Sequence, residues 1–218
     1  MLLQAYGQTE CVSWATVLRK DEHDPIGDPD LLGSCGRPVL GARVELLDEE
    51  DQPVAAGAVG EICVRGRGIM SGYQGLTQQT EEALRSGWLH TGDLALKDER
   101  GYFHIVERKK DMIISGGFNV YSREIEDVIA EDPDVAAVAV IGIPSAQWGE
   151  AVTAVVVPRP GSTIDTSTLT ESVKRRKGAH QAPKAIEIVD QLPMTAVGKI
   201  DKKRLREQYW AGLERHVH

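Results

Sequence analysis

The alternation of polar and apolar positions changes period along the chain. In the first hundred residues it is short and two-fold: Arg43 to Leu47 alternates, and Glu61 to Val64 alternates again after the turn from Gly57 to Gly60. That period predicts half-buried strands. Asp48 to Pro53 supplies a polar hairpin connection between them. Asp98-Glu99-Arg100-Gly101 separates a strand at Trp88–His90 from another at Tyr102–Val106. Several short strands with glycine turns predict a small β-barrel-like subdomain over residues 1–108.

The second half reads differently. Val135 to Ile143 and Ala151 to Val157 are apolar, β-branched runs of strand length. Met112–Ser115 and Ala185–Val189 predict two further strands. Ser122 is placed to cap a helix running to about Glu131, with Glu124 and Glu126 near the positive end of its dipole. Thr168 and Glu171 have capping-box spacing, which predicts a helix to about Lys177. Asp201 predicts a cap for a last helix carrying Leu205. Strands mixed with two or three helices predict a compact α+β domain over residues 109–210, followed by a tail at 211–218.

Composition narrows the functional classes. With 41% hydrophobic and 27% charged residues in 218, the chain can bury a packed core; aromatics at 5% leave that core to Val, Ile, Leu and Ala. The net charge of −8 lies wholly in the first 106 residues, which hold 9 basic and 17 acidic side chains against 16 of each from 107 onward. That balance argues against nucleic acid as a partner. Three scattered cysteines carry no zinc-ligand or disulfide spacing, which predicts a reducing, cytoplasmic setting. No apolar run approaches a membrane span, and residues 1–20 lack a signal-peptide pattern.

Four clusters carry chemistry: Tyr6-Gly7-Gln8-Thr9-Glu10; Gly87-Trp88-Leu89-His90-Thr91-Gly92-Asp93; Glu107-Arg108-Lys109-Lys110-Asp111 running through Gly116-Gly117 to Glu124; and Leu192-Pro193-Met194-Thr195-Ala196-Val197-Gly198-Lys199. In order and spacing the chain resembles the adenylate-forming enzymes, the family of acyl-CoA synthetases, firefly-luciferase-like enzymes and peptide-synthetase adenylation domains. The likeness runs over roughly residues 4–208, and Glu107 to Glu126 is most similar to the fatty-acyl-CoA synthetases. Ile114 stands where the luciferase-like branch has a lysine, which argues against that branch.

The resemblance implies ATP-dependent activation of a carboxylate to an acyl-AMP, then transfer of the acyl group to coenzyme A. Glu10 would hold Mg²⁺, a hard cation suited to carboxylate oxygen. Thr9 would bond the α-phosphate, Tyr6 would lie against adenine, and Gly7 would admit close backbone approach. Asp93 and Arg108 would grip the ribose. Lys110 would be the hinge of the smaller domain. Gly116, Gly117 and Phe118 would line the CoA tunnel. Lys199 would be the catalytic lysine, its flexible stem delivering a compact charge to the reacting carboxylate and α-phosphate.

The family's Ser/Thr/Gly-rich phosphate loop does not occur in these residues. Gly198-Lys199 is followed by Ile200, which excludes a Walker pattern, and Gly66-Arg67-Gly68 lacks the third glycine of a dinucleotide fingerprint. The sequence begins just before Tyr6, so the implied partner is an N-terminal portion of the same enzyme, without which the chain is expected to be inactive. A non-catalytic binding or regulatory module, and part of a peptide-synthetase adenylation module, are the alternatives at this level.

Overall fold

The computed structural model describes residues 2–12 and 14–211, so the predicted tail beyond Ala211 lies outside the described residues. The chain divides into two compact units, Met1–Arg108 and Lys109–His218.

In the first unit, β1 (Gln4–Tyr6), β2 (Thr16–Leu18) and β3 (Arg37–Pro38) form an antiparallel sheet in that order. β4 (Ala42–Leu47) and β5 (Gly60–Gly66) pair, α1 (Thr77–Ala83) follows, and β6 (Leu89–Lys97) and β7 (Phe103–Arg108) complete a sheet of order β4-β5-β6-β7. Both sheets are open in strand order among the described residues, so the barrel-like expectation resolves into two sheets rather than a closed barrel. Val44, Leu46, Ile62, Val64, Leu89 and Phe103 meet in one buried cluster. Val44 with Leu46, and Ile62 with Val64, share a sheet face because side chains alternate along a strand.

The second unit is built on a long hairpin. β8 (Ile113–Ser115) and β9 (Phe118–Val120) lead into α2 (Ser122–Ala130), then β10 (Val135–Ser145) and β11 (Gly149–Pro158) pair over nearly their full lengths. α3 (Thr166–Lys177), β12 (Ala185–Ile188) and α4 (Lys202–Glu207) follow, with β12 parallel to β11. The hairpin strands are mostly apolar, with Glu150 and Thr153 the buried polar exceptions on β11, because both faces are covered. Val138, Val140, Val152, Ala154 and Val156 pack with Ile125, Ile129, Leu169 and Val173 of α2 and α3. Ala139, Ile141 and Val155 pack on the other side with Leu192 and Leu205. Among the described residues no helix is long and apolar enough to cross a membrane.

Two predicted caps differ. Ser122 is the first residue of α2 and makes no cap; its hydroxyl instead accepts from Lys202 Nζ at 2.7 Å. Nor does Thr168 open α3 by a capping box: Asp165 is the cap, accepting from the amides of Ser167 and Thr168. A carboxylate upstream outcompetes a hydroxyl inside the first turn because it accepts several bonds at once. The predicted Asp201 cap is present, accepting from the Arg204 amide at 3.0 Å.

The hydroxyl bonds from Ser167 and Thr168 hold the Asp165 carboxyl down to about 2 from the usual 3.8. A folded value below the unfolded one means that the cap's stabilisation is present above 3.8 and lost as pH falls through about 2. Asp165→Ala therefore lowers the thermal midpoint at neutral pH, and its gap from wild type closes on acidification through that window. A gap that stays constant into strong acid would remove Asp165 from this role.

Candidate nucleotide-binding site

The first unit gathers its polar side chains around Asp93. The β5–β6 pairing slips between Glu61 and Cys63, and the β6–β7 pairing slips after Leu94. Such bulges re-aim side chains. Gly92 takes up the turn with φ of 73°, a left-handed conformation that disfavours any residue bearing a Cβ. The Gly92 amide donates to Glu61 Oε1 at 2.9 Å, and the Thr91 hydroxyl donates to the Ile62 carbonyl at 2.7 Å. These bonds fix the backbone that presents Asp93.

Asp93 is 7% exposed and lies directly across the ladder from Arg108, whose Nε donates to Oδ1. Its other oxygen accepts from the Tyr6 hydroxyl at 2.7 Å and from Gln8 Nε2 at 3.1 Å; Gln8 also donates to the Thr91 carbonyl at 2.8 Å. Burial, and then the charge of Asp93, push the Tyr6 hydroxyl far above its ordinary value, which keeps it protonated and donating. A carboxylate offers about four acceptor sites. Three are occupied by Arg108, Tyr6 and Gln8, so one remains for a sugar hydroxyl, and a grip on both hydroxyls of a diol requires Tyr6 or Gln8 to yield.

Glu10 is half-buried in the segment that follows. Its Oε1 accepts from the Tyr73 hydroxyl at 2.8 Å, and its backbone carbonyl accepts from the Met70 amide at 2.8 Å. Tyr73 is raised by burial and by Glu10, so it too remains a donor. A carboxylate supplies hard oxygens of the type that suits Mg²⁺. Thr9 and Gly7 are exposed beside it.

The remaining predicted residues lie in the second unit. Lys110 sits in the short 3₁₀ turn Lys109–Asp111 that opens it, and Asp111 ties that turn to α4 through Arg206 at 2.8 Å. Gly116 and Gly117 form the β8–β9 turn with φ of 60° and 82°. A Cβ on Gly116 would stand 3.1 Å from the Trp148 ring. Phe118 is 58% exposed and tilts against His180 at a centroid distance of 5.3 Å. Lys199 is exposed at the end of a tight loop: its amide donates to Thr195 Oγ1 at 3.1 Å, its carbonyl accepts from the Thr195 amide at 2.7 Å, and Gly198 turns with φ of 76°. The side chain is therefore presented from a backbone-locked loop.

Sequence reasoning assigned no role to Gln8, Thr91, Glu61 or Tyr73. Gln8 and Thr91 stood within the quoted clusters and were open to notice. Glu61 and Tyr73 become relevant only through the fold that brings them beside Gly92 and Glu10.

Known proteins resemble the chain along nearly its whole length. Residues 1–74 match the AMP-binding enzyme family, and residues 124–199 match the AMP-binding enzyme C-terminal domain. The chain is 51% identical to a medium/long-chain-fatty-acid–CoA ligase of Mycobacterium tuberculosis, over 98% of this chain and 38% of that protein. It is 42% identical to a long-chain-fatty-acid–CoA ligase of Escherichia coli O157:H7, over 95% of this chain and 36% of that one. Among solved structures, ATP-bound MatB from Rhodopseudomonas palustris aligns with a TM-score of 0.85 at 38% identity, covering 95% of this chain and 40% of its own. The amide bond synthetase McbA from Marinactinospora thermotolerans aligns with a TM-score of 0.84 at 39% identity, covering 95% and 42%. The chain thus spans about two fifths of the length of the relatives it matches. With both family domains matched in order, and the relatives aligned along nearly all of it, the chain belongs to the AMP-binding, adenylate-forming enzymes.

Proposed function

We propose that this chain is the part of an AMP-forming fatty-acyl-CoA ligase that holds the ribose and swings between two half-reactions, and that it works in the cytoplasm together with an N-terminal portion of the same enzyme. The observation that carries the reading is the pairing of Asp93 with Arg108 across the β6–β7 ladder, with Tyr6 and Gln8 aimed at the same carboxylate. Three polar side chains converging on one buried carboxylate within β6 suit recognition of a sugar hydroxyl.

In the first half-reaction a fatty carboxylate oxygen attacks the α-phosphorus of ATP. A new P–O bond forms and pyrophosphate leaves. Lys199 neutralises the charge that converges on the carboxylate and α-phosphate, and Thr9 donates a hydrogen bond to the α-phosphate. Mg²⁺ held by Glu10 supplies charge neutralisation on the phosphates when bound. In the second half-reaction the sulfur of coenzyme A attacks the acyl carbonyl and AMP leaves with the electron pair of the broken C–O bond. Rotation at Lys110 exchanges Lys199 for the Gly116-Gly117 turn, whose missing side chains and the neighbouring Phe118 ring suit a thin pantetheine arm. Both ligases named above act on fatty acids, which supports that substrate class.

Carboxylate-dependent ATP–pyrophosphate exchange tests the proposal. The chain alone should show none, and fusion to the N-terminal portion of a related ligase should restore it with fatty acids and Mg²⁺. In that fusion Asp93→Ala should raise the KM for ATP by about 10- to 100-fold, since a hydrogen bond to a charged group contributes about 1.5–3 kcal/mol. Full exchange by the chain alone would refute the need for a partner, and a folded but inactive fusion would refute the ligase reading.

A further inference from the structure

We propose that Glu61, Cys63 and His90 form a binding site for one borderline-soft divalent cation, with zinc as its natural type, distinct from the Mg²⁺ position at Glu10 and independent of the ligase reading. Glu61 and Cys63 are two residues apart on β5 and therefore share a face. His90 stands directly opposite Cys63 in the β5–β6 register. All three residues are buried, and one ligand atom from each lies within 4.8 Å of the others. His90 Nδ1 is 3.3 Å from Cys63 Sγ and 3.3 Å from Glu61 Oε2. Tetrahedral zinc, with bonds of about 2.0 Å to nitrogen or oxygen and about 2.3 Å to sulfur, sets neighbouring ligands about 3.3–3.6 Å apart. The two separations from His90 Nδ1 need little adjustment, and the Cys63 and Glu61 ligand atoms lie within 4.8 Å of one another.

The surroundings match the chemistry of such a site. His90 Nε2 has no hydrogen-bond partner, although Asp51 Oδ1 is only 3.5 Å away and the imidazole is 3% exposed. A proton on Nε2 directed at Asp51 leaves the Nδ1 lone pair for a cation, as carboxylates behind metal-bound histidines do. Asp51 is itself fixed by the Ser86 hydroxyl at 2.6 Å and by Arg85 Nε at 3.1 Å. Glu61 commits Oε1 to the Gly92 amide, which directs Oε2 toward His90. Arg85 lies 3.5 Å from Oε2 and competes with a cation there, but it keeps Asp51 as a partner when displaced. Binding converts the Cys63 thiol to thiolate and releases one proton. Thiolate, carboxylate and a divalent cation then sum to zero charge, which lowers the cost of burial. Glu61 and His90 also line a pocket of about 490 Å³ that gives ions a route in and water a place at the fourth position. Through Gly92 the cation would brace the turn that carries Asp93.

Cobalt(II), a coloured stand-in for zinc, titrated into the whole purified chain tests this. The expected result is one equivalent bound with a thiolate-to-cobalt charge-transfer band, displaced by zinc, retained in Cys11→Ser and Cys35→Ser, and lost in Cys63→Ser and His90→Gln. Asp51→Asn, which alters only the positioning residue, should weaken binding about 10- to 100-fold. Circular dichroism establishes that each variant is folded. Should both ligand variants unfold, protection of Cys63 from alkylation by zinc in the wild-type chain decides. A folded wild type without the band, a band that survives Cys63→Ser, or unprotected Cys63 would overturn the proposal.

Discussion

Lys199→Ala lowers carboxylate-dependent ATP–pyrophosphate exchange by about 100- to 1000-fold in the fusion proposed above, the loss typical of removing one donor to transition-state charge. The fold is spared, because the loop around Lys199 is held by its backbone amide and carbonyl, both of which alanine retains, and the side chain is exposed. The effect therefore reads chemistry rather than stability. Carboxylate attack on a phosphate draws two anions together, and a compact ammonium on a flexible stem reaches both. Lys199→Arg keeps the charge but spreads it over a rigid plane, so it should recover only part of the rate. Thioester formation from preformed acyl-AMP should stay within a few-fold of wild type, because Lys199 serves the first half-reaction alone in the proposed cycle. Equal losses in the two half-reactions would refute that division of labour.

Phe103→Ala destabilises the first unit by about 3–5 kcal/mol, the cost of deleting a fully buried aromatic ring and leaving a cavity. Phe103 is 1% exposed within the cluster formed by Val44, Leu46, Ile62, Val64 and Leu89. Its backbone is also spoken for: the amide donates to the Gly36 carbonyl at 3.0 Å, and its carbonyl accepts from the Cys35 amide at 2.8 Å. Those bonds hold β7 in place while the core beside it is emptied, so collapse into the cavity is restricted and the upper part of the range applies. For a unit of this size the thermal midpoint should fall by at least about 10 °C. Phe103→Leu, which refills most of the volume, should cost less than half as much. A loss below about 1 kcal/mol for the alanine variant would mean that the ring is not buried in solution as it is here.

The sequence by itself determined the elements whose residues record their own burial. Arg43–Leu47 and Glu61–Val64 alternate, and they lie within β4 and β5. The apolar, β-branched runs at Val135–Ile143 and Ala151–Val157 lie within β10 and β11, which have both faces covered. The α+β class follows from these patterns, and the family from four motifs in order. The Asp201 cap was legible because a cap bonds within three residues of itself. Ser122 and Thr168 misled because other groups compete for them: Lys202, distant in sequence, engages the Ser122 hydroxyl, and Asp165 takes the Thr168 amide that a capping box would give to Glu171.

Tertiary structure decided which distant residues meet. Asp93 faces Arg108 because the β6–β7 register after a bulge sets them opposite one another, and Tyr6 reaches the same carboxylate across 87 residues of chain. Cys63 and His90 lie 27 residues apart with no metal-ligand spacing between them, yet the antiparallel register places their side chains in contact. One-dimensional spacing encodes contacts within a turn or a single strand. Pairing between strands depends on the register that the core selects, and a shift of one residue sends every side chain to the other face.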